Sequence, residues 1–262
     1  MEEVRKIRQL QPCCGGRKLL KMIKEDKPEI KISRNDFFEL LRRNGLLVKQ
    51  KRKRLSFTDY KSASVVFPNL LKDMKVEHLN QVWVSDMTYI RLIKGKQYLF
   101  LVTDYCSREI IGYYLSEDMT AKSACKALKM AINKNRTAKH VIHHSDHGSQ
   151  YSSAIYQKML KEVEGISSMT GPAHCYDNAV AERVNGILKN EFGLNRTFLS
   201  REHVIEAVRS AIMIYNNIRL HKSLGYCTPH KYSLLKRQDI EATSICNNAR
   251  RRFDNSVNYS GT

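Results

Sequence analysis

Nine residues constrain this chain most: Val82-Trp83-Val84-Ser85-Asp86-Met87-Thr88-Tyr89-Ile90. Apolar side chains occupy both alternating faces of the run, the pattern of a strand covered by protein on each side. Tyr98-Leu99-Phe100-Leu101-Val102-Thr103 and Glu109-Ile110-Ile111-Gly112-Tyr113-Tyr114 repeat that pattern, and the short gaps between the runs suit hairpins. A helix is predicted over 120–134, with Ala124, Ala127, Leu128, Ala131 and Ile132 on one face. A fourth strand follows at His140-Val141-Ile142-His143-His144, then a helix over 152–163 and a short fifth strand from Ile166 to Met169. Gly171-Pro172 breaks the chain before a helix from about Asp177 to Phe192, and a last one runs over 201–217. Three antiparallel strands followed by alternating helices and strands define an α/β class, a mixed five-stranded sheet flanked by helices.

Asp86 interrupts an otherwise apolar strand. A buried carboxylate without a partner costs several kcal/mol or shifts its pKa. Asp146 follows the fourth strand in Ser145-Asp146-His147-Gly148-Ser149-Gln150, where a turn at glycine lets a side chain project from the sheet. Glu182 is the more telling residue. At 100° per residue, Asn178, Glu182, Asn185, Gly186 and Lys189 share one stripe of their helix, opposite Val180, Val184, Ile187 and Leu188. That stripe is small and polar, so a second body can approach closely. Three carboxylates from two strands and a helix would make a hard oxygen site suited to Mg²⁺ or Mn²⁺. Two such ions can activate an attacking oxygen and stabilise the leaving one in displacement at phosphorus.

Charge points to the same class of substrate. The chain of 262 residues holds 45 Lys+Arg against 26 Asp+Glu, a net +19, which favours a polyanionic partner such as nucleic acid. No apolar run approaches the roughly 18 residues of a membrane span, and the N-terminus lacks the apolar core of a signal peptide. A cytoplasmic location is expected. Seven cysteines include no Cys-x-x-Cys pair, so neither a disulfide framework nor a structural zinc site is expected.

The N-terminal quarter reads as a small helical unit. Leu19, Leu20, Met22 and Ile23 form one face, and Lys27-Pro28 ends that helix. Ser33 is a candidate N-cap with Asp36 three residues on, Phe37, Phe38, Leu40 and Leu41 follow, and Gly45 is a stop. Two helices about a turn suit a helix-turn-helix-like unit, and the adjoining Lys51, Arg52, Lys53 and Arg54 suit DNA phosphates. The expected organisation is a DNA-binding segment over 1–60, a linker over 61–80, a catalytic core with C-terminal helices over 81–235, and a basic tail over 236–262.

Four ordered blocks carry a family resemblance: Trp83 to Ile90, His144 to Tyr151, Asp177 to Phe192, and Tyr215-Asn216-Asn217-Ile218-Arg219-Leu220-His221-Lys222-Ser223-Leu224-Gly225-Tyr226-Cys227-Thr228-Pro229. Between Asp146 and Glu182 lie 35 residues, the family interval. The chain resembles the OrfB transposases of the bacterial insertion-sequence-three family, within the retroviral-integrase-like DDE superfamily. The resemblance implies a ribonuclease-H-like core behind the helical N-terminal segment. It implies that Asp86, Asp146 and Glu182 are catalytic and bind two divalent ions, and that Lys189 contacts DNA near the scissile phosphate. Arg183 and Asn185 stand beside it as candidate DNA contacts, although Arg183-Val184-Asn185-Gly186 departs from the usual run after the Glu. The implied reaction is cleavage of one strand at an element end, then attack of the freed 3′-OH on another phosphodiester. The implied partners are double-stranded DNA, further copies of the chain on that DNA, and an upstream-frame protein (OrfA), alone or fused to this one. A nuclease that cuts without joining and an inert DNA-binding remnant are the alternatives. Asp104 and Asp118 are rival carboxylates placed where Asp serves turns, and His143, His144 and His147 are a rival metal set.

Overall fold

The computed structural model describes residues 1–48, 65–171 and 178–240. The basic run Lys51–Arg54, the helix start expected at Asp177 and the tail beyond residue 240 lie outside them.

Three helices form the N-terminal unit: α1 (Glu2–Leu10), α2 (Gly16–Asp26) and α3 (Arg34–Arg43). Only α2 and α3 are anticipated by periodicity. Ser33 caps α3 by accepting from the Asp36 N–H at 3.1 Å. Val4, Leu19, Leu20, Ile23, Phe37 and Leu41 make a core separate from that of the sheet.

The sheet consists of β1 (Val82–Leu92), β2 (Lys96–Asp104), β3 (Ile110–Ser116), β4 (Ile142–Ser145) and β5 (Ile166–Met169) in the order β3-β2-β1-β4-β5. β1, β2 and β3 pair antiparallel, whereas β1, β4 and β5 pair parallel. The predicted mixed sheet is present, with a sixth short strand added: β6 (Thr197–Phe198) lies parallel to the end of β1 at Arg91 and Leu92.

Helices cover both faces, which explains the apolar runs. Trp83, Phe100, Val102 and Ile111 pack with Leu128 and Ala131 of α4 (Ala121–Lys134) and with Tyr156 and Leu160 of the helix at 154–160. Ile90, Leu99, Leu101 and Ile110 pack on the opposite face with α7 (Ala179–Glu191) and α8 (Arg201–Asn217), the short α5 (Ser149–Ser152) and α6 (Ala154–Leu160) preceding β5. Consecutive residues of β2 thus serve opposite cores. Gly112 is where β3 presses closest to α4: a Cβ there would stand 2.3 Å from the Ala127 carbonyl oxygen. Residues 229–240 form a further helix, α9, which takes in the first residues of the stretch expected as a basic tail.

The C-terminal signature is a clamp on the sheet. Asn216 accepts from the Ile110 N–H at 3.0 Å and donates to the Ile110 carbonyl at 2.9 Å, while the Tyr215 hydroxyl donates to the Arg108 carbonyl at 2.9 Å. Packing is therefore the visible role of both residues. Trp83 is fully buried and donates to Asn80, a core residue as its setting in the strand suggests.

Candidate active site

Strand register brings the two aspartates together. In the parallel pairing of β1 and β4, Val84 lies opposite His144. Two residues further along both strands are Asp86 and Asp146. Both lie at or past the C-terminal end of the parallel pairing, the position where α/β sheets place their ligands.

α7 lies against the same strand. Asn178 donates to the Ser85 carbonyl at 3.1 Å, and Asn185 donates to Asp86 Oδ2 at 2.7 Å. The two asparagines are buried and flank Glu182 on the stripe seen in the sequence. Glu182 itself is exposed. Lys189 continues the stripe by one turn, and its ammonium reaches the ring of Tyr89, 4.6 Å from the centroid.

The electrostatics follow from this proximity. Burial, and then the negative charge of Asp146, push the Asp86 carboxyl up to about 7, with a smaller upward contribution from Glu182. Hydrogen bonds from Asn185 and from the Met87 N–H at 2.8 Å oppose that rise without cancelling it. Asp146 accepts from the Gly148 N–H at 3.0 Å, which fixes its turn. Tyr151 sits close enough to both aspartates that they add to the effect of burial in raising its phenol.

Among the described residues, no group of three or more His, Cys, Asp or Glu side chains stands close enough together to hold a metal ion. The donor set still fits a hard divalent cation. The negative charges of Asp146 and Glu182 act on Asp86, and the Asn185 Oδ1 beside Asp86 is buried with no hydrogen-bond partner.

The rival groups have structural work. Asp104 is buried and accepts from the Asn80 N–H, the Ser107 N–H and the Ser107 hydroxyl, each at 2.7 Å. Asp118 accepts from Ser116, Thr120 and Ser123 around the start of α4, and these bonds lower its carboxyl to about 2. His143 lies 2.8 Å from the Ser85 hydroxyl and 2.7 Å from that of Tyr156. Burial, then His144, depress its pKa to about 3, so the ring is neutral. His144 meets the Ser168 hydroxyl and His147 the Thr170 carbonyl.

Of the candidate DNA contacts, Arg183 is exposed and Lys189 half-buried, while Asn185 is buried against Asp86. Sequence reasoning did not find Asn178 as an anchor or Tyr89 as the neighbour of Lys189. The first stands on the predicted polar stripe and the second in the first motif block, so the signal for each was its membership of those sets.

Comparison with known proteins places the chain among polynucleotidyl transferases of the integrase class. The Integrase core domain family matches residues 76–175, and a second family of that description matches residues 166–229. An uncharacterized 31 kDa protein of insertion element IS600 from Shigella sonnei is 38% identical over 201 residues, covering 76% of this chain and 74% of that one. Transposase InsF for insertion sequence IS3A from Escherichia coli K12 is 40% identical over 195 residues, covering 73% and 67%. The chain belongs to this family, the IS3-type DDE transposases. Among solved structures, the HTLV-2 integrase catalytic core domain in complex with magnesium overlaps 60% of this chain and 97% of that one, at 18% identity and a TM-score of 0.46.

Proposed function

We propose that Asp86, Asp146 and Glu182 are the catalytic carboxylates of this transposase, and that they cleave one strand at an element end and join the freed 3′-OH to a second DNA. The observation that carries this reading is the β1–β4 register, which sets Asp86 beside Asp146 and leaves the Asp86 carboxyl near 7. The three carboxylates would hold two divalent ions, Mg²⁺ or Mn²⁺. When bound, such ions supply positive charge to the attacking and leaving oxygens of an in-line displacement.

The chain's own residues prepare that chemistry. The raised Asp86 carboxyl holds its proton up to about pH 7, and a bound cation would displace that proton. Asn185 holds Oδ2 of Asp86 in one orientation and is a positioning residue. Asn178 ties the first turn of α7 to the backbone of β1, so Glu182 projects from an anchored helix. Lys189 presents a cation for a phosphate within electrostatic reach of Asp86. Exposed Arg183 on α7 is a further candidate DNA contact, and the basic composition of Lys51–Arg54 suits DNA phosphates.

Residues 1–60 serve as the DNA-binding segment ahead of the core at 81–235. Two element ends must be held together, so the working form is a multimer on DNA, with the upstream-frame protein supplying end recognition. No described helix is long and apolar enough to cross a membrane.

The test uses labelled DNA carrying the element's ends, with Mg²⁺, Mn²⁺ or EDTA, and compares the wild type with Asp146→Asn, each also fused to the upstream frame. Metal-dependent nicking and joining, both lost in Asp146→Asn, are expected. Activity that survives EDTA or the substitution overturns the carboxylate assignment. Nicking without joining overturns the transfer step.

A further inference from the structure

Tyr89 leaves an aromatic ring in solvent between two buried residues in the last third of β1. It is 46% exposed, whereas its neighbours Thr88 and Ile90 are 8% and 0% exposed. Three cations surround the ring: Lys189 at 4.6 Å from the centroid, Lys96 at 5.9 Å and the Arg91 guanidinium at 6.0 Å. Lys96 also lies 5.5 Å from the ring of Tyr98, the cross-strand partner of Tyr89. One cation over an aromatic face is common, and each such contact is weak at an exposed site. Three cations sharing one ring repel one another. The charge of Asp86 reaches Lys189, and Arg91 hydrogen-bonds the Tyr89 hydroxyl. The cluster therefore gathers an excess of positive charge around an exposed aromatic face.

DNA suits both features at once. Phosphates neutralise the cations, and a base stacks on the ring. The π face of a base is accessible only where it is unpaired or terminal. Tyr89 lies three residues along β1 from Asp86, about 10 Å at strand rise, or about three nucleotides at the rise of stacked DNA. We infer that Tyr89, with Arg91 and Lys96, forms a stacking platform for an unpaired base of the DNA strand that enters at Asp86, with the flanking phosphates held by Arg91, Lys96 and Lys189. This rests on the assignment of Asp86 to the reacting centre. It adds a specific nucleotide site to it, placed on the hairpin between β1 and β2.

The platform is tested without chemistry. Duplexes carrying the element end are made with 2-aminopurine at each of the last four positions of either strand, and the full chain is titrated in EDTA. Stacking on Tyr89 is expected to change the fluorescence at one or two of these positions. Tyr89→Phe keeps that signal and binds within about twofold of wild type, because the ring is retained. Tyr89→Ala loses the signal and binds about tenfold more weakly, in the range expected for loss of one base–aromatic stack. Arg91→Ala and Lys96→Ala each lower the slope of log affinity against log salt by about one.

A Tyr89→Ala protein with wild-type signal and affinity overturns the platform. So does a Tyr89→Phe protein that fails as completely as the alanine variant, since the hydroxyl would then be the group that matters. Thermal denaturation of each variant separates these outcomes from misfolding. Because nothing is cleaved in EDTA, a positive signal stands even if the carboxylates prove inert, and a lost signal leaves the metal-dependent reaction to be judged on Asp146→Asn.

Discussion

Asn185 donates its side-chain amide to Oδ2 of Asp86 at 2.7 Å, joining the helix that carries Glu182 to the strand that carries Asp86. The bond lowers the Asp86 carboxyl against the upward pull of burial and Asp146. Removing it in Asn185→Ala frees the carboxylate to rotate and raises its pKa further. Losses of about 10–100-fold are typical when a group that orients a metal-binding carboxylate is removed, and that range is expected for strand cleavage here. The acidic limb of the pH–rate profile moves to higher pH, a change that general destabilisation would not produce. An unmoved limb argues against Asn185 as a positioning residue.

Asp86 also sets a pH dependence of stability. Its folded carboxyl titrates near 7, against an ordinary value of 3.8. A carboxyl raised on folding is favoured protonated in the native state, so the native state loses stability as pH rises from about 4 to about 7 and loses no more above that. Asp86→Asn removes the charge. Without metal, the variant is expected to be more stable than wild type at pH 8, by on the order of 1–2 kcal/mol or a few degrees in Tm, and equal to it at pH 4. Divalent ions reverse the comparison at pH 8 by stabilising only the wild type. Melting curves at the two pH values, with and without Mg²⁺, measure both effects.

Apparent metal affinity follows the same proton. Binding to ionised Asp86 releases the proton it holds below pH 7, so apparent Mg²⁺ affinity falls up to about tenfold for each pH unit below that value and levels off above it. Titrating cleavage with Mg²⁺ between pH 5.5 and 8.5 reads this directly. A flat dependence would place Asp86 outside the ion site.

Gly112 shows how tightly β3 is packed beneath α4. An added Cβ would lie 2.3 Å from the Ala127 carbonyl oxygen and 2.9 Å from the Ala131 nitrogen, both backbone atoms that cannot rotate away. Gly112→Ala forces helix and strand apart and is expected to cost at least about 1–3 kcal/mol, the usual range for overpacking. Urea unfolding gives the value, and a change below about 0.5 kcal/mol would show that the helix shifts freely.

Most of the sheet was legible because its strands are buried on two sides, and the limits of α8 and β5 match the periodicity residue for residue. The helix α1 was not, since Val4 is its only buried residue among charged neighbours. β6 spans two residues and exists through its pairing with Arg91 and Leu92, a long-range contact with no local pattern. At the site, residue types and the 35-residue interval marked the three carboxylates. The bonds that orient them join residues 93 and 99 positions apart, Asn178 to Ser85 and Asn185 to Asp86. Spacing along one element cannot reveal such bonds. The same holds for Tyr89, whose cations come from its own strand, the next strand and α7.

Glu191 provides the last prediction, because it joins three parts of the chain at the end of α7. Arg219 donates to both its carboxyl oxygens, at 2.8 and 2.7 Å, and Lys18 of α2 reaches it at 3.1 Å. His221 sits behind, 2.9 Å from Arg219; burial, then the charge of Arg219, lower its pKa to about 3 and keep the ring a neutral acceptor. Burial alone would raise Glu191, but Arg219 and Lys18 outweigh it and bring the carboxyl down to about 2. A depressed carboxyl stabilises the fold above its unfolded pKa, near 4.5, and that contribution is lost as pH falls toward 2. Glu191→Gln leaves Arg219 buried beside a neutral amide and is expected to cost about 3 kcal/mol, as for other broken buried pairs, while flattening the acid limb of the stability curve between pH 5 and 2. Lys18→Met removes only the tie to α2. It should leave melting of the sheet nearly unchanged and increase hydrogen exchange in α2 and α3, because their own small core no longer docks through this pair. Unchanged exchange in α2 and α3 would mean that other contacts hold the N-terminal helices to the core.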